Sequence, residues 1–189
     1  TLLPTGRVLV AGGQGSAGYL ASAELYDPST NSWSAAGTLG AARASAVALL
    51  LPNGKVLVAG GYGATGAVAS AELYDPATNS WSGGGTFVDA RAYATATLLH
   101  NGRVLVAGGQ GSAGDLASAE LYDPATNTWS LAGTLGIARR GATASLLADG
   151  TVLVAGGVGV GGYLASAELY DPALNTWSST GALGSARTA

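Results

Sequence analysis

Hydrophobic residues along this chain come in short bursts, each cut off by glycine. Residues 44–51 (ASAVALLL) form an apolar run of strand length, too short for a helix, bounded by Arg43 and by Pro52-Asn53-Gly54. Asn-Gly is a strong hairpin signal, because a type I′ turn needs two residues that accept positive φ. The next run, residues 55–59 (KVLVA), is rich in β-branched residues and ends at Gly60-Gly61, so the two runs predict a hairpin. Sister turns are Asn101-Gly102, Asp149-Gly150 and Thr5-Gly6. A loop of small residues, 62–69, follows. Residues 70–74 then alternate, Glu72 and Tyr74 on one side and Ala71 and Leu73 on the other, the signature of a strand. Asp75-Pro76 ends that strand in a turn, Asn79 closes the turn, and Ser80-Trp81-Ser82 opens a fourth strand. Gly83-Gly84-Gly85 leads on to the next unit. Helical periodicity is absent, and four short antiparallel strands are predicted per unit.

That unit repeats in strict register. The stretch AELYDPSTNSW at 23–33 returns at 71–81, 119–129 and 167–177, always 48 residues on. A fixed period of this length means a solenoid, an array or a propeller, and four antiparallel strands per period make one propeller blade. Each unit carries a Gly doublet (Gly12-Gly13, Gly60-Gly61, Gly108-Gly109, Gly156-Gly157) and a Tyr and Trp in the constant stretch (Tyr26/Trp33, Tyr74/Trp81, Tyr122/Trp129, Tyr170/Trp177). In these marks every unit resembles a kelch repeat, and the resemblance covers essentially the whole chain. It implies an all-β β-propeller of four-stranded blades whose first strand lines a central channel. The blades fall at about 1–42, 43–90, 91–138 and 139–186. The Gly, Tyr and Trp positions read as structural: close backbone approach or positive φ for the glycines, bulk for the wide outer wedge for the aromatics.

The chain is three residues short of four full periods, and residues 187–189 read as the start of the strand that residues 1–3 finish. Joining these pieces would close a ring and remove exposed sheet edges. The chain could close alone as four blades, two chains could join head to tail as a homodimer of eight blades, or the chain could be a piece of a longer propeller. Four blades closing alone must diverge by about 90° each, and faces made of Ala, Ser and Gly fill such wedges badly. The expectation is therefore the eight-bladed dimer.

Composition narrows the function. The chain has 48% hydrophobic and 10% charged residues, with a net charge of −3, which is neither disordered nor nucleic-acid binding in character. It has no Cys, and no apolar run approaches the length of a membrane helix. The kelch resemblance includes copper oxidases, whose His, Tyr and Cys ligands cannot be assembled from a chain with one His, His100, in a hairpin turn. No metal, no cofactor and no catalytic residue is expected.

The repeats differ from one another mainly in two connections: the stretch after the Gly doublet and the loop entering the first strand. The first carries Gln14, Tyr62, Gln110 and Val158, and five residues on Tyr19, Ala67, Asp115 and Tyr163; the second carries Ala41, Asp89, Ile137 and Ser185. Both connections emerge at the same end of an antiparallel blade, whereas the Asp-Pro turns at the other end hardly change. Variation therefore collects on one face, the expected binding face of a rigid scaffold. Arg43, Arg91, Arg139 and Arg187 recur at the entry to the channel-lining strand, with Arg140 adding a charge in one blade. They would form either a guanidinium ring that captures carboxylate or phosphate, or structural pairs with the equally periodic Glu24, Glu72, Glu120 and Glu168. The ligand-binding candidates are these five Arg together with Tyr19, Tyr62, Tyr93, Asp89, Asp115 and Tyr163.

Two function classes follow: a non-catalytic scaffold that binds a protein or peptide on the variable face, and a small-ligand or glycan binder that stacks on Tyr and clamps with Arg. The strong similarity of repeats one and three fits recent duplication or design, a third reading with no evolved ligand. The LYDPATNTW style resembles arrays in bacterial secreted or surface proteins, which implies an extracellular setting.

Overall fold

The computed structural model describes residues 1–188, and among them only strands, turns and loops occur. Four antiparallel sheets follow one another along the chain. The second is built from Val47–Leu50, Val56–Ala59, Ser70–Asp75 and Ser80–Thr86, adjacent in that order. The third (Thr95–Leu98, Val104–Ala107, Ser118–Asp123, Thr128–Thr134) and the fourth (Thr143–Leu146, Val152–Ala155, Ala167–Asp171, Thr176–Thr180) repeat it. The first has Val8–Ala11, Ser22–Asp27 and Ser32–Thr38, with Leu2 bridging to Val8 as the remnant of an innermost strand. These are four blades of a β-propeller.

The core lies between blades. Leu9, Leu25 and Ala36 of the first blade pack on Val56, Val58 and Tyr74 of the second, and the same cluster recurs at the next two boundaries. Val56–Ala59 is buried at every residue because neighbours cover both faces of the sheet, so this strand reads as a continuous apolar run rather than an alternation. Trp81 packs on Tyr74 at 5.2 Å between ring centroids and donates its indole N–H across the boundary to Ala36 O at 2.7 Å. Trp129 and Trp177 do the same to Gly84 O and Ala132 O. Asn79 sits at φ 52° in the Asp-Pro turn, accepts the Tyr74 hydroxyl and donates to Ala35 O of the preceding blade. The first glycine of each doublet allows the tightest approach: a Cβ on Gly60 would lie 2.3 Å from Arg91 O of the next blade.

Three local readings change. The loop 62–69 contains a miniature hairpin, Tyr62–Gly63 with Gly66–Ala67, repeated in every blade. Two-residue strands with glycine at one of the two positions leave no hydrophobic alternation to read. The innermost strand begins at Val47, not at residue 44, because Ser45 takes φ 54° and interrupts it. The fourth strand runs through Gly83-Gly84-Gly85 to Thr86, with a bulge in its pairing between Ser70 and Glu72.

The chain does not close on itself. Val10 is 47% exposed and Trp33 55%, whereas Val58, at the position of Val10 in the second blade, is 1% exposed. Among the described residues no hydrogen bond or ion pair joins a strand of the first sheet to a strand of the fourth. Residues 187 and 188 are outside any strand, and the expected junction through residue 189 lies outside the described residues.

Candidate functional site: the variable loop face

The two variable connections of the second, third and fourth blades are hydrogen-bonded to one another. Ala44 and Tyr62 exchange both backbone bonds (2.9 and 2.7 Å), as do Ala92 with Gln110 and Arg140 with Val158. The miniature hairpins thus stand beside the entry to the innermost strands, on the face opposite the Asp-Pro turns.

Arg43, Arg91 and Arg139 lie beneath this face rather than on it. Each is 1% exposed. Arg91 donates to Asp89 O, Gly108 O, Ser118 O and Ser118 Oγ, and its Nη2 meets Glu120 Oε1 at 2.7 Å. Arg43–Glu72 and Arg139–Glu168 repeat this arrangement. The Glu120 carboxylate also accepts the backbone N–H groups of Val88 and Asp89, in the loop that enters the blade. Burial pulls the Arg43 guanidinium below its ordinary value, and the Glu72 charge and hydrogen bond oppose that shift. These three arginines therefore leave the set of ligand contacts: their donors are spent on blade acceptors and solvent does not reach them. Arg187 and Glu24, the fourth members of the two series, are exposed instead.

Asp89 also turns inward, accepting the Ser118 hydroxyl at 2.6 Å. Tyr19 is half-buried in the first miniature hairpin, and Tyr163 stands 67% exposed in the last. The structure does bring together Tyr62, Tyr93, Asp115 and Arg140 across blades two, three and four. The Tyr62 and Tyr93 rings meet at 6.3 Å, tilted by 45°. Asp115, nearly buried, pairs with Arg140, whose side chain remains a third exposed. A cavity of about 160 Å³ is lined by Tyr93, Arg140, Gly141, Val158 and Thr188.

Tyr93 holds a conformation that bulky residues avoid. Its φ is 56°, and the equivalent positions carry Ser45 at 54° and Gly141 at 57°. The fold requires the left-handed geometry there, because it makes a belt from blade to blade: Tyr93 N–H donates to Ser45 O, and Gly141 N–H donates to Tyr93 O. Glycine satisfies that need without steric cost. A tyrosine at this point places a 45% exposed ring over the variable face. Periodicity hides this feature; the only sequence hint is Gly141 at the same register.

A cavity of about 660 Å³ lies on the other face, among Pro52, Asn53, Asn101, Gly102, Arg103, Asp123, Pro124 and Ala125. Its charges neutralise each other, with Arg103 Nε 3.1 Å from Asp123 Oδ2, and Asn101 Oδ1 accepts the Arg103 N–H. His100 sits nearby, in a small cavity with Leu99, Asn101, Gly150, Pro172 and Ala173.

The family model described as the Kelch motif matches four times, at residues 4–40, 43–87, 91–136 and 139–183. The solved structure of YjhT aligns with a TM-score of 0.83 at 19% identity, covering 100% of this chain and 71% of that one, a likeness of fold. No curated protein matches the sequence.

Proposed function

From the premise that the chain belongs to the kelch family, we propose that it is a non-catalytic interaction module that holds a protein or peptide segment on its variable loop face. Tyr62, Tyr93, Asp115 and Arg140 form the centre of that surface. The observation that carries the reading is Tyr93: an aromatic ring kept at a left-handed position where sister repeats use Ser and Gly, exposed and set against Tyr62. Backbone strain retained in this way marks ligand-contact sites. Tyr supplies a large amphipathic contact area at low entropic cost, and a partly exposed Arg beside it supplies directional hydrogen bonds, the pairing typical of interface hot spots.

The test is a peptide display selection on the intact chain, followed by affinity measurement with Tyr93→Ala and Arg140→Ala. Hot-spot truncations cost on the order of 2 kcal/mol or more, so each variant is expected to bind at least roughly thirtyfold more weakly. A glycan array run in parallel addresses the alternative. Saturable glycan binding lost in Tyr93→Ala, with no peptide selected, replaces this reading with a lectin-like one. Peptides whose binding ignores both substitutions refute it.

A further inference from the structure

We infer that the peptide received by the variable face is a proline-rich segment in the polyproline II conformation. This rests on the reading of that face as a peptide-binding surface, and it names the class of peptide. The polar groups at the centre of the face divide into those already spent and those left open. The backbone is spent. Ala44 with Tyr62, Ala92 with Gln110 and Arg140 with Val158 exchange both main-chain bonds. The belt uses Tyr93 N–H on Ser45 O, and Tyr93 O on Gly141 N–H. A peptide that adds as a strand needs a row of open N–H and C=O groups, and these paired positions offer none. Recognition therefore falls to side chains.

The tyrosines of the constant stretches each donate their hydroxyl to an Asn. The hydroxyls of Tyr62 and Tyr93 have no such partner among the described residues. Arg140 spends Nη1 on Asp115; its Nε and Nη2 meet no acceptor among the described residues, on a side chain 34% exposed. The carboxylates are closed off: the Asp115 side chain is 6% exposed and held by Arg140, and Asp89 accepts the Ser118 hydroxyl. These residues thus present ring surface and open donors, without an open carbonyl or carboxylate. The complement is a ligand that brings apolar surface and acceptors but few donors. An ordinary peptide carries one N–H per residue, and each N–H desolvated here without an acceptor opposes binding. Proline has no N–H. In polyproline II the carbonyls make no internal bonds and stay open to outside donors, and the conformation is preformed, so little entropy is lost on docking. Pyrrolidine rings have the Tyr62 and Tyr93 rings, 6.3 Å apart, to pack on. Charge points the same way. Asp115 neutralises Arg140, so no excess positive charge draws an acidic segment, whereas a neutral carbonyl suits the open guanidinium donors.

The experiment is a fluorescence anisotropy titration of the intact chain with a labelled, end-capped proline-rich peptide. Three copies of the peptide carry alanine, N-methylglycine or glutamate at alternate prolines. Alanine restores N–H groups that the site cannot accept, so that copy is expected to bind about tenfold more weakly or worse. The N-methylglycine copy, which also lacks those N–H groups, is expected to lose less than the alanine copy. Tyr93→Gly removes the ring and keeps the backbone that Gly141 already adopts at the same register, so the fold is retained and binding of the proline-rich peptide is expected to be largely lost. An alanine or glutamate copy that binds as tightly as the parent peptide overturns the inference, as does binding that ignores Tyr93→Gly. Display-selected peptides that bind through Tyr93 while the proline-rich peptide does not bind overturn this inference alone. Failure of every peptide to bind overturns it together with the reading of the face on which it rests.

Discussion

Removing the Glu120 carboxylate is expected to destabilise the fold severely, and the chain carries its own control. Glu120 is fully buried and accepts three hydrogen bonds: Arg91 Nη2 at 2.7 Å, Val88 N–H at 2.9 Å and Asp89 N–H at 3.2 Å. In Glu120→Ala the Arg91 guanidinium, itself 1% exposed, keeps its carbonyl partners but loses its counter-charge. Breaking one side of a buried ion pair costs about 3–5 kcal/mol, chiefly from the charge left behind. The two orphaned backbone donors belong to the same network, so their penalties of about 1–3 kcal/mol each do not simply add. Glu24 occupies the same position in the first blade but is exposed, and Glu24→Ala in dilute protein is expected to stay within about 0.5 kcal/mol of wild type. Urea unfolding followed by tryptophan fluorescence measures both. Equal midpoints for the two variants would refute the claim that buried Arg–Glu pairs lock the blades.

Three further outcomes follow from the same boundaries. Trp129→Ala, which loses the contacts to Tyr122 and Phe87 and the bond to Gly84 O, is expected to cost about 3–5 kcal/mol, against a far smaller loss for exposed Trp33→Ala in dilute protein, both read from urea midpoints. Gly60→Ala is expected to lower the melting temperature by more than an ordinary surface change, since its Cβ would meet Arg91 O at 2.3 Å on a backbone at φ +67°. Burial raises the phenol pKa of Tyr74, Tyr122 and Tyr170 above the ordinary value near 10. The folded state then holds these protons more tightly than the unfolded one, so their stabilisation is complete below about pH 10 and is lost as pH rises through the raised values. Thermal melts across that range, compared with a Tyr122→Phe variant, check the sign.

The architecture was legible because the 48-residue period, the Asn-Gly turns and the Asp-Pro turns each name one feature of a blade. What sequence left open depended on contacts between residues far apart in the chain. The Arg series read either as a channel-mouth ring or, with the better support, as partners for the Glu series, and only folding brings Arg91 to Glu120, 29 residues on, in a place solvent cannot enter. The pairing of Asp115 with Arg140 was legible only as two isolated charges on the same varied face, since neither recurs in the other repeats. Tyr93 looked like one aromatic among several; its left-handed backbone is imposed by the belt linking Ser45, Tyr93 and Gly141, which no local pattern encodes. The exposure of Trp33 and Glu24 was invisible for the opposite reason, as strict repetition makes the end blades look like the middle ones.

The central functional claim is that the variable loop face, not the constant turns, receives the partner. Amide chemical-shift mapping of the labelled chain with a display-selected peptide tests it most directly. The account predicts shifts centred on Tyr62, Tyr93, Asp115, Arg140 and Val158. Shifts centred instead on the opposite face, around Asn53, Asn101 and the Asp123-Pro124 turn that border the larger cavity, would contradict it.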